Sequence, residues 1–326
     1  MIEKITERIF RIEVPLPNNP LKYTNSYLIR GGERDLLVDT GMNREECLSA
    51  LKSAFERLRV ERERLAVVVT HLHADHIGLV GELNPKEVYF SAVEAEIVRK
   101  MFENPMGYWE EIIEHYIKNG FPESEAEKML RMHPGIRYTS LKEVDFTEIR
   151  DGDEIEVGDA VLRCVETPGH SPSHMCFLMD RILFSGDHVL NDITPNITWW
   201  PVMEDSLESY LRSLDKIGRI DAELVLPGHR RYWTDLRKRV EELKQHHRKR
   251  LQEAFTALDK PKTAWEVAPS ITWDLKYERW EEVNVVQKWF AVGETMAHLE
   301  HLCKMGLVER VEDEKDGKIR YIRRSF

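Results

Sequence analysis

Cysteine, long apolar runs and positive charge are all scarce in this 326-residue chain. Its four cysteines are scattered without a Cys-x-x-Cys pair, which argues against a disulfide framework and favours reduced, mostly buried thiols. No apolar stretch approaches the roughly 18–20 residues of a membrane span. The first residues also lack the apolar core of a secretory signal. We therefore expect a cytoplasmic protein with no membrane partner.

The low proportion of positive charge and the absence of one catalytic motif reduce the number of possible functions further. The formal charge is −11, from 47 Lys+Arg against 58 Asp+Glu. Because an acidic surface repels polyphosphate, nucleic acid is an unfavoured partner and a small-molecule substrate is preferred. The chain has no Gly-x-Ser-x-Gly elbow, so a serine nucleophile of that type is not expected. A hydrophobic content of 42% is nevertheless enough for the core of a soluble enzyme.

The most specific feature that is present is the run HLHADH at residues 71–76, which follows the apolar run LAVVV after one threonine. The apolar run predicts a buried strand, and strand ends are the usual place for chemistry in α/β proteins. Imidazole nitrogen and carboxylate oxygen are ligands that suit zinc, iron or manganese. Because alternate side chains of an extended segment point the same way, His71 and His73 can address one metal. Asp75 and His76 can then face a second point nearby.

Three later turns repeat this arrangement of an apolar strand followed by glycine and a candidate ligand. They present His170, Asp187 and His229. Glycine at such a place permits a sharp turn close to a ligand. One such turn carries little information, but three of them after HLHADH make a specific constellation and supply the further ligands that a metal pair needs.

With Asp39 in the run LVDTG, these residues make the chain resemble the metallo-β-lactamase-fold hydrolases over about residues 1–245. The resemblance implies two divalent metal ions, zinc before iron or manganese. It implies that one ion is held by His71, His73 and His170, that the other is held by Asp75, His76 and His229, and that Asp187 bridges them. Asp39 would steady the metal loop from outside the ligand set. The β-lactamases of the fold carry cysteine at the bridging position, so Asp187 argues against an antibiotic-cleaving enzyme.

The same resemblance implies an α/β fold, a four-layered αββα sandwich with the metals at one edge. The hydrophobic pattern agrees, because helices and strands alternate along the catalytic domain. We expect a helix at 43–58 and strands at 87–90, 155–166, 175–184 and 223–226.

Residues 94–134 interrupt this alternation with three amphipathic segments, and by resemblance we expect an inserted helical cap over the metal site. The alternative is a peripheral decoration or an oligomer contact. Ser124 and Glu127 have the spacing of a capping box at the start of the third segment. Trp109 would contribute to the apolar underside of the cap.

Two adjacent tryptophans, Trp199 and Trp200, lie in the loop after the expected bridging aspartate. Because exposed tryptophans are unfavourable in water, they are expected either to line an apolar substrate pocket or to pack against the cap or a neighbouring subunit. Together with Trp109 they are the candidate substrate-binding residues.

Residues 246–326 are expected to form a small winged-helix-like domain, as in one branch of the family. A short helix at 264–268 precedes helices at 283–292 and 294–305 and a hairpin. The last of these helices would be the recognition helix, but its acidic residues make it a poor reader of nucleic acid. We favour a structural role instead, such as packing on the catalytic domain or forming a homodimer. The basic cluster at 246–250 is expected on a solvated helix face.

Three functions remain open at this point. The first is a metal-dependent hydrolase in which a metal-bridging hydroxide attacks a thioester, lactone or related ester, with Asp75 as the catalytic residue that orients the hydroxide or its proton. The second is a metal-dependent endoribonuclease or phosphodiesterase, which the winged-helix-like tail favours and the acidic charge opposes. The third is a metal-binding regulatory protein with little turnover, which the complete ligand set opposes. We prefer the first.

Overall fold

Two β-sheets face each other at the centre of the computed structural model, which describes residues 1–139, 141, 144–274, 277 and 279–324. Within these residues the strands of the first sheet are β1 Ile2–Lys4, β2 Ile9–Pro15, β3 Tyr23–Arg30, β4 Asp35–Val38, β5 Leu65–Val68, β6 Glu87–Ser91 and β7 Thr147–Ile149. They lie side by side in chain order, antiparallel from β1 to β4 and parallel from β4 to β7.

The strands of the second sheet are β8 Glu154–Val157, β9 Ala160–Glu166, β10 Met175–Met179, β11 Ile182–Gly186 and β12 Leu224–Pro227. They lie in the order β12-β11-β10-β9-β8, and β11 and β12 are parallel. The stretches 155–166 and 175–184, each expected as one strand, are hairpins. The chain reverses at Gly158 (φ 66°) and near Asp180 (φ 53°), in conformations that favour glycine and are tolerated by aspartate.

Helices cover the outer face of each sheet. The helices of the described ranges are α1 Glu45–Leu58, α2 Ala74–Ile77, α3 Val80–Leu83, α4 Ala92–Glu103, α5 Pro105–Lys118, α6 Glu123–Met132, α7 Pro134–Arg137, α8 Ser206–Ile217, α9 Leu236–Ala257, α10 Ala264–Val267 and α11 Val285–Lys304. Of these, α1, α3 and α4 share a core with the first sheet, and α8 and α9 share one with the second. A third core lies between the sheets. This is the expected αββα sandwich.

No helix in the described ranges is both long enough and apolar enough to cross a membrane.

The strand pattern explains why both faces of the first sheet are buried. Along β4 and β5 successive apolar residues alternate between the inter-sheet core, which takes Val38 and Val68, and the outer core, which takes Leu37 and Val67. Continuous apolar runs are typical of parallel strands that are covered on both sides. The run LAVVV is therefore apolar throughout because it has no solvent-facing side.

The helices α4 to α7 form the cap (residues 92–137), and its third helix starts differently from the expectation. The capping box expected at Ser124 and Glu127 is wrong, because α6 begins at Glu123 after Pro122 and no side chain caps it. Pro122 is the N-cap residue, and its side chain has no oxygen that could accept from the N–H groups of the first turn.

The cap shares one hydrophobic core with the C-terminal segment, which is defined here as residues 258–324 and contains α10, α11 and the hairpin of β13 Val308–Glu312 and β14 Ile319–Arg323. Tyr116 of α5 stacks on Trp289 of α11 with ring centroids 3.5 Å apart and planes at 2°. Phe121 contacts the same tryptophan edge to face. The cap therefore packs against the C-terminal segment as well as against the sandwich.

Two expectations about α9 and the C-terminal segment are wrong. The helices expected at 283–292 and 294–305 are one continuous helix, α11, because Gly293 serves close packing instead of a break. A Cβ there would stand 2.2 Å from both Tyr116 Oη and Thr198 Oγ1. The basic cluster at 246–250 is not wholly solvated either, since His247 and Arg250 are buried.

Trp289→Ala should lower the free energy of unfolding by about 3–5 kcal/mol, because it removes a buried aromatic side chain from the core shared by the cap and α11. Denaturant unfolding measures the loss, and hydrogen exchange should accelerate in α5. The control is Val311→Ala at a 39% exposed position, which should change stability by less than about 0.5 kcal/mol. Unchanged exchange in α5 would show that the two units are stabilised separately.

Candidate metal centre

The structure brings all of the predicted ligands to one edge of the sandwich, because each of them follows the end of a strand. The run 71–76 follows β5 and turns into α2, and the other ligands follow β9, β11 and β12. Three of the ligating groups fall within 4.8 Å of one another in each of the sets His71/His73/His170, His71/His76/Asp187 and Asp75/His76/His229.

The first set is a triangle of imidazole nitrogens. His73 Nδ1 lies 2.9 Å from His71 Nε2 and 3.1 Å from His170 Nε2. Nitrogens around a tetrahedral zinc ion, at Zn–N distances of about 2.0–2.1 Å, lie about 3.3 Å apart. The spacing of these three nitrogens therefore suits one metal ion at their centre.

The second set combines two imidazoles with a carboxylate. Asp75 Oδ2 lies 3.2 Å from His229 Nε2 and 3.7 Å from His76 Nε2. Asp187 lies between the two sets, with Oδ2 at 3.4 Å from His229 Nε2, 3.5 Å from His76 Nε2 and 3.8 Å from His170 Nε2. It occupies the place that the resemblance gives to a bridging ligand.

The charge of this cluster fits divalent cations. His76 Nε2, His229 Nε2 and Asp187 Oδ1 are buried and make no well-aligned hydrogen bond within the described residues, although carboxylate oxygens lie 3.2–3.7 Å from the two nitrogens. Burial lowers the pKa of His229, but the carboxylates of Asp187 and Asp75 outweigh this effect and raise it to about 10. Without a metal, protons on the imidazoles must balance the buried carboxylates. The residues present therefore fit a bound metal pair.

Neighbouring groups orient four of the histidines by holding Nδ1, which leaves Nε2 free to face the centre. The partners of Nδ1 are Thr70 Oγ1 at 2.9 Å for His71, Asp39 Oδ2 at 2.7 Å for His76, Asn196 O at 2.8 Å for His170 and Tyr23 O at 3.0 Å for His229. His73 is different, because its Nδ1 faces the centre.

Asp39 holds the loop that carries the ligands, as the resemblance implies for a residue outside the ligand set. Its Oδ1 accepts from the Thr70 N–H and its Oδ2 from the Thr70 hydroxyl, both at 2.8 Å. The same Oδ2 binds His76 Nδ1. Asp39 has φ 61°, a conformation that aspartate adopts more readily than most residues.

Three buried or partly buried residues beside the centre were missed by sequence reasoning: Glu94, His174 and Asn196. His174 Nε2 accepts from the Asp187 N–H at 3.1 Å, so it holds the backbone of the central aspartate. Its position four residues after His170 could have marked it. No sequence feature distinguishes Glu94 from other glutamates of amphipathic helices, or Asn196 from other asparagines in loops.

Glu94 ties together the two loops that bear the first set of histidines. Its carboxylate accepts from the Leu72 N–H at 2.6 Å, from the Ser173 N–H at 3.0 Å and from the Ser171 hydroxyl. Burial raises its pKa to about 7, although these hydrogen bonds oppose the rise. Because Glu94 begins the cap helix α4, the cap and the metal loops are joined at this carboxylate.

A cavity of about 620 Å³ opens on the centre at His73, Asp75 and Asp187. Its walls come from the cap, from the loop 191–201 and from α11, and they include the predicted Trp109, Trp199 and Trp200. Among the described lining residues there is no Lys, Arg or Glu. The cap therefore covers the centre, and the space beneath it is aromatic and aliphatic.

Both of the paired tryptophans line the cavity, and their contact with a substrate stays a prediction. Trp200 stacks on His73 with ring centroids 6.0 Å apart, and its Nε1–H donates to His170 O at 3.2 Å. Trp199 stacks on His115 of the cap with centroids 3.7 Å apart and planes at 5°. Each ring packs against a neighbouring element and also lines the cavity.

The chain belongs to the metallo-beta-lactamase superfamily, whose model matches residues 19–229. A second model, described as a metallo-beta-lactamase-like C-terminal domain, matches residues 251–324. The helix α9 runs unbroken between the two matches and across the predicted boundary at 245/246. The winged-helix description of the C-terminal segment stays a prediction.

Three similar proteins cover most of this chain. A metallo-beta-lactamase family protein of Thermus thermophilus is 30% identical, with a TM-score of 0.84 over 98% of this chain and 100% of that chain. The Beta-lactamase-like protein 2 homolog of Caenorhabditis elegans is 28% identical over 94% of this chain and 88% of its own length. An atrochrysone carboxyl ACP thioesterase of Aspergillus fumigatus is 27% identical over 79% of this chain and 67% of its own length.

Gly228→Ala should weaken zinc binding by roughly 10- to 100-fold, a range typical for disturbed surroundings of a metal site. The added Cβ would stand 2.4 Å from Asp187 Oδ1 and 2.7 Å from His76 Cε1, so one of the two must move. Competition with a chromogenic chelator measures the change. Gly218→Ala, at a helix end with φ −60°, is the control. Equal affinities for the two variants would contradict the assignment of this cluster as the metal centre.

In the metal-free protein, Glu94→Gln should remove a pH dependence of stability. Because burial raises the pKa of Glu94 to about 7, its contribution to stability is fully present below about pH 4.5 and is lost as pH rises through 7. Stability of the wild type relative to the variant should fall by about 2–3 kcal/mol between pH 5 and pH 8. Denaturant unfolding at both pH values tests this. Glu96→Gln, at an exposed position on α4, should show no such difference.

Proposed function

We propose that this protein is a hydrolase with two divalent ions, zinc in preference to iron or manganese, and that it cleaves thioesters, lactones or related esters with an apolar tail. In this proposal one ion lies among His71, His73 and His170 and the other among Asp75, His76 and His229, with Asp187 between them. Bound there, the ions would supply Lewis acidity and lower the pKa of a coordinated water.

Asp75 is the residue proposed to handle the proton. It lines the cavity beside the centre. In the metal-free protein burial raises the pKa of its carboxyl, but His76 and His229 outweigh this effect and keep it below the ordinary value. An ionised carboxylate in this place can accept a proton from an attacking water and return it to the leaving group.

The observation that carries the choice of substrate is the absence of Lys and Arg among the described residues that line the cavity. A phosphodiester or RNA strand is bound through cationic side chains along its phosphate backbone. An acyl chain needs only apolar surface. The A. fumigatus relative, whose name describes an ACP thioesterase, supports the same choice.

The burial of α11 also weighs against a nucleic-acid enzyme. Residues 291–299, which include the start of the expected recognition helix, are all buried. A helix that reads a groove must present a free face to it. The C-terminal segment therefore offers no support for an endoribonuclease through that helix.

A substrate panel with the zinc-loaded protein tests the proposal. Acyl thioesters and lactones of increasing tail length are compared with a phosphodiester and with RNA. We expect turnover of the acyl compounds, with kcat/KM rising roughly fourfold per added CH₂, which corresponds to about 0.8 kcal/mol, until the cavity is filled. Hydrolysis of RNA without turnover of any acyl compound would contradict the proposal.

A further inference from the structure

A chain of hydrogen bonds links His170 to the C-terminal helix α11. The His170 Nδ1–H donates to Asn196 O at 2.8 Å. The side-chain amide of the same asparagine donates to Glu294 Oε2 at 2.7 Å and to Phe290 O at 3.3 Å. Glu294 also forms a buried ion pair with Arg250 of α9. An imidazole of the metal centre is thus connected to α11 of the C-terminal segment and, through Glu294, to α9.

We propose that Asn196 and Glu294 are positioning residues for His170, so that the C-terminal segment is a part of the metal centre and not an appended module. The inference rests on the proposed function in one respect, which is that His170 is a metal ligand.

The loop 191–201 needs this anchor because it contains no helix or strand. A backbone carbonyl in an unanchored loop fixes the orientation of an imidazole ring poorly. The carbonyl of Asn196 can hold His170 because the side chain of the same residue is hydrogen-bonded to α11. Two further contacts fix the same loop, since the Trp199 N–H donates to Gly293 O at 3.1 Å and the Trp200 Nε1–H donates to His170 O at 3.2 Å.

The burial of Glu294 is explained by this role. The residue is 2% exposed, and a buried carboxylate is unfavourable unless its oxygens are paired. Arg250 occupies Oε1 and Asn196 occupies Oε2. A carboxylate is a stronger acceptor for an amide N–H than a neutral oxygen, so the pair holds Asn196 more firmly than an uncharged residue would.

A third metal site is the competing interpretation of this region, because His247, Glu294 and His298 offer ligand atoms within 4.8 Å of one another. The contacts oppose it. Both carboxylate oxygens of Glu294 already have partners, and one partner is a guanidinium cation. The His298 Nδ1–H donates to Glu294 O at 2.7 Å, and its Nε2 lies 3.2 Å from His247 Nδ1, as in a neutral hydrogen-bonded pair.

The test is Asn196→Ala, which keeps the carbonyl that His170 uses but removes its anchor. We expect the affinity for one of two zinc ions to fall by roughly 10- to 100-fold while the other is unchanged, because only one set of ligands contains His170. Asn196→Asp should weaken the same ion at least as much, since its carboxylate would face that of Glu294. Chelator competition measures both affinities, and the visible spectrum of the cobalt-substituted protein reports the geometry at the affected ion.

Asn191→Ala is the matched control, because Asn191 lies in the same loop and its side chain makes no hydrogen bond to any residue that the structure describes. It should bind both zinc ions as the wild type does. If both Asn196 variants fold and also bind both ions like the wild type, the inference is wrong while the proposed function stands. Three zinc ions per chain would favour the competing site and overturn it. A wild-type chain that binds no zinc would overturn both.

Discussion

The need to neutralise buried negative charge at one edge of the sandwich governs the structure. Asp39, Asp75 and Asp187 all lie beside the imidazole of His76, and Asp39 and Asp187 are almost fully buried. Buried carboxylates are tolerated only when they are paired or coordinate a cation. Several polar atoms at the centre make no well-aligned hydrogen bond within the described chain, so the folded protein is poised for metal. The hydrogen bonds to Nδ1 of the histidines, the glycine at 228 and the carboxylate of Glu94 all serve the spacing of these donors.

The cap, the loop 191–201 and the C-terminal segment all adjoin the metal centre at this edge of the sandwich. The cap is joined to the metal loops through Glu94 at the start of α4, and to α11 through the Tyr116–Trp289 stack. The loop 191–201 lies between the two and contacts both. Cap, loop and C-terminal segment thus form one continuous wall around an apolar cavity. Such a wall suits the acyl group of the proposed substrates, because it provides apolar contacts and, among the described lining residues, no Lys or Arg to pair with a phosphate.

The candidate ligands and several strands could be predicted from the sequence because each is marked locally, whereas the αββα sandwich and the division of the ligands between two ions came from the family resemblance. A continuous apolar run predicts a strand covered on both faces, and a glycine turn after it presents a His or Asp. Glu94 and Asn196 could not be found in this way, because their roles depend on neighbours that are distant along the chain. The role of Gly293 also depends on distant neighbours. The sequence pattern divides the helix at this glycine, but the residues that require it, Tyr116 and Thr198, lie 177 and 95 residues away in sequence. The buried face of α9 was missed because α11, which covers it, was divided in the prediction.

The most direct test of the account is anomalous diffraction at the zinc absorption edge from crystals of protein purified without chelators. The account predicts two peaks at one edge of the sandwich, one bounded by His71, His73 and His170 and the other by Asp75, His76 and His229, with Asp187 between them. The absence of metal from that edge, or a metal held only at another place in the fold, would contradict it.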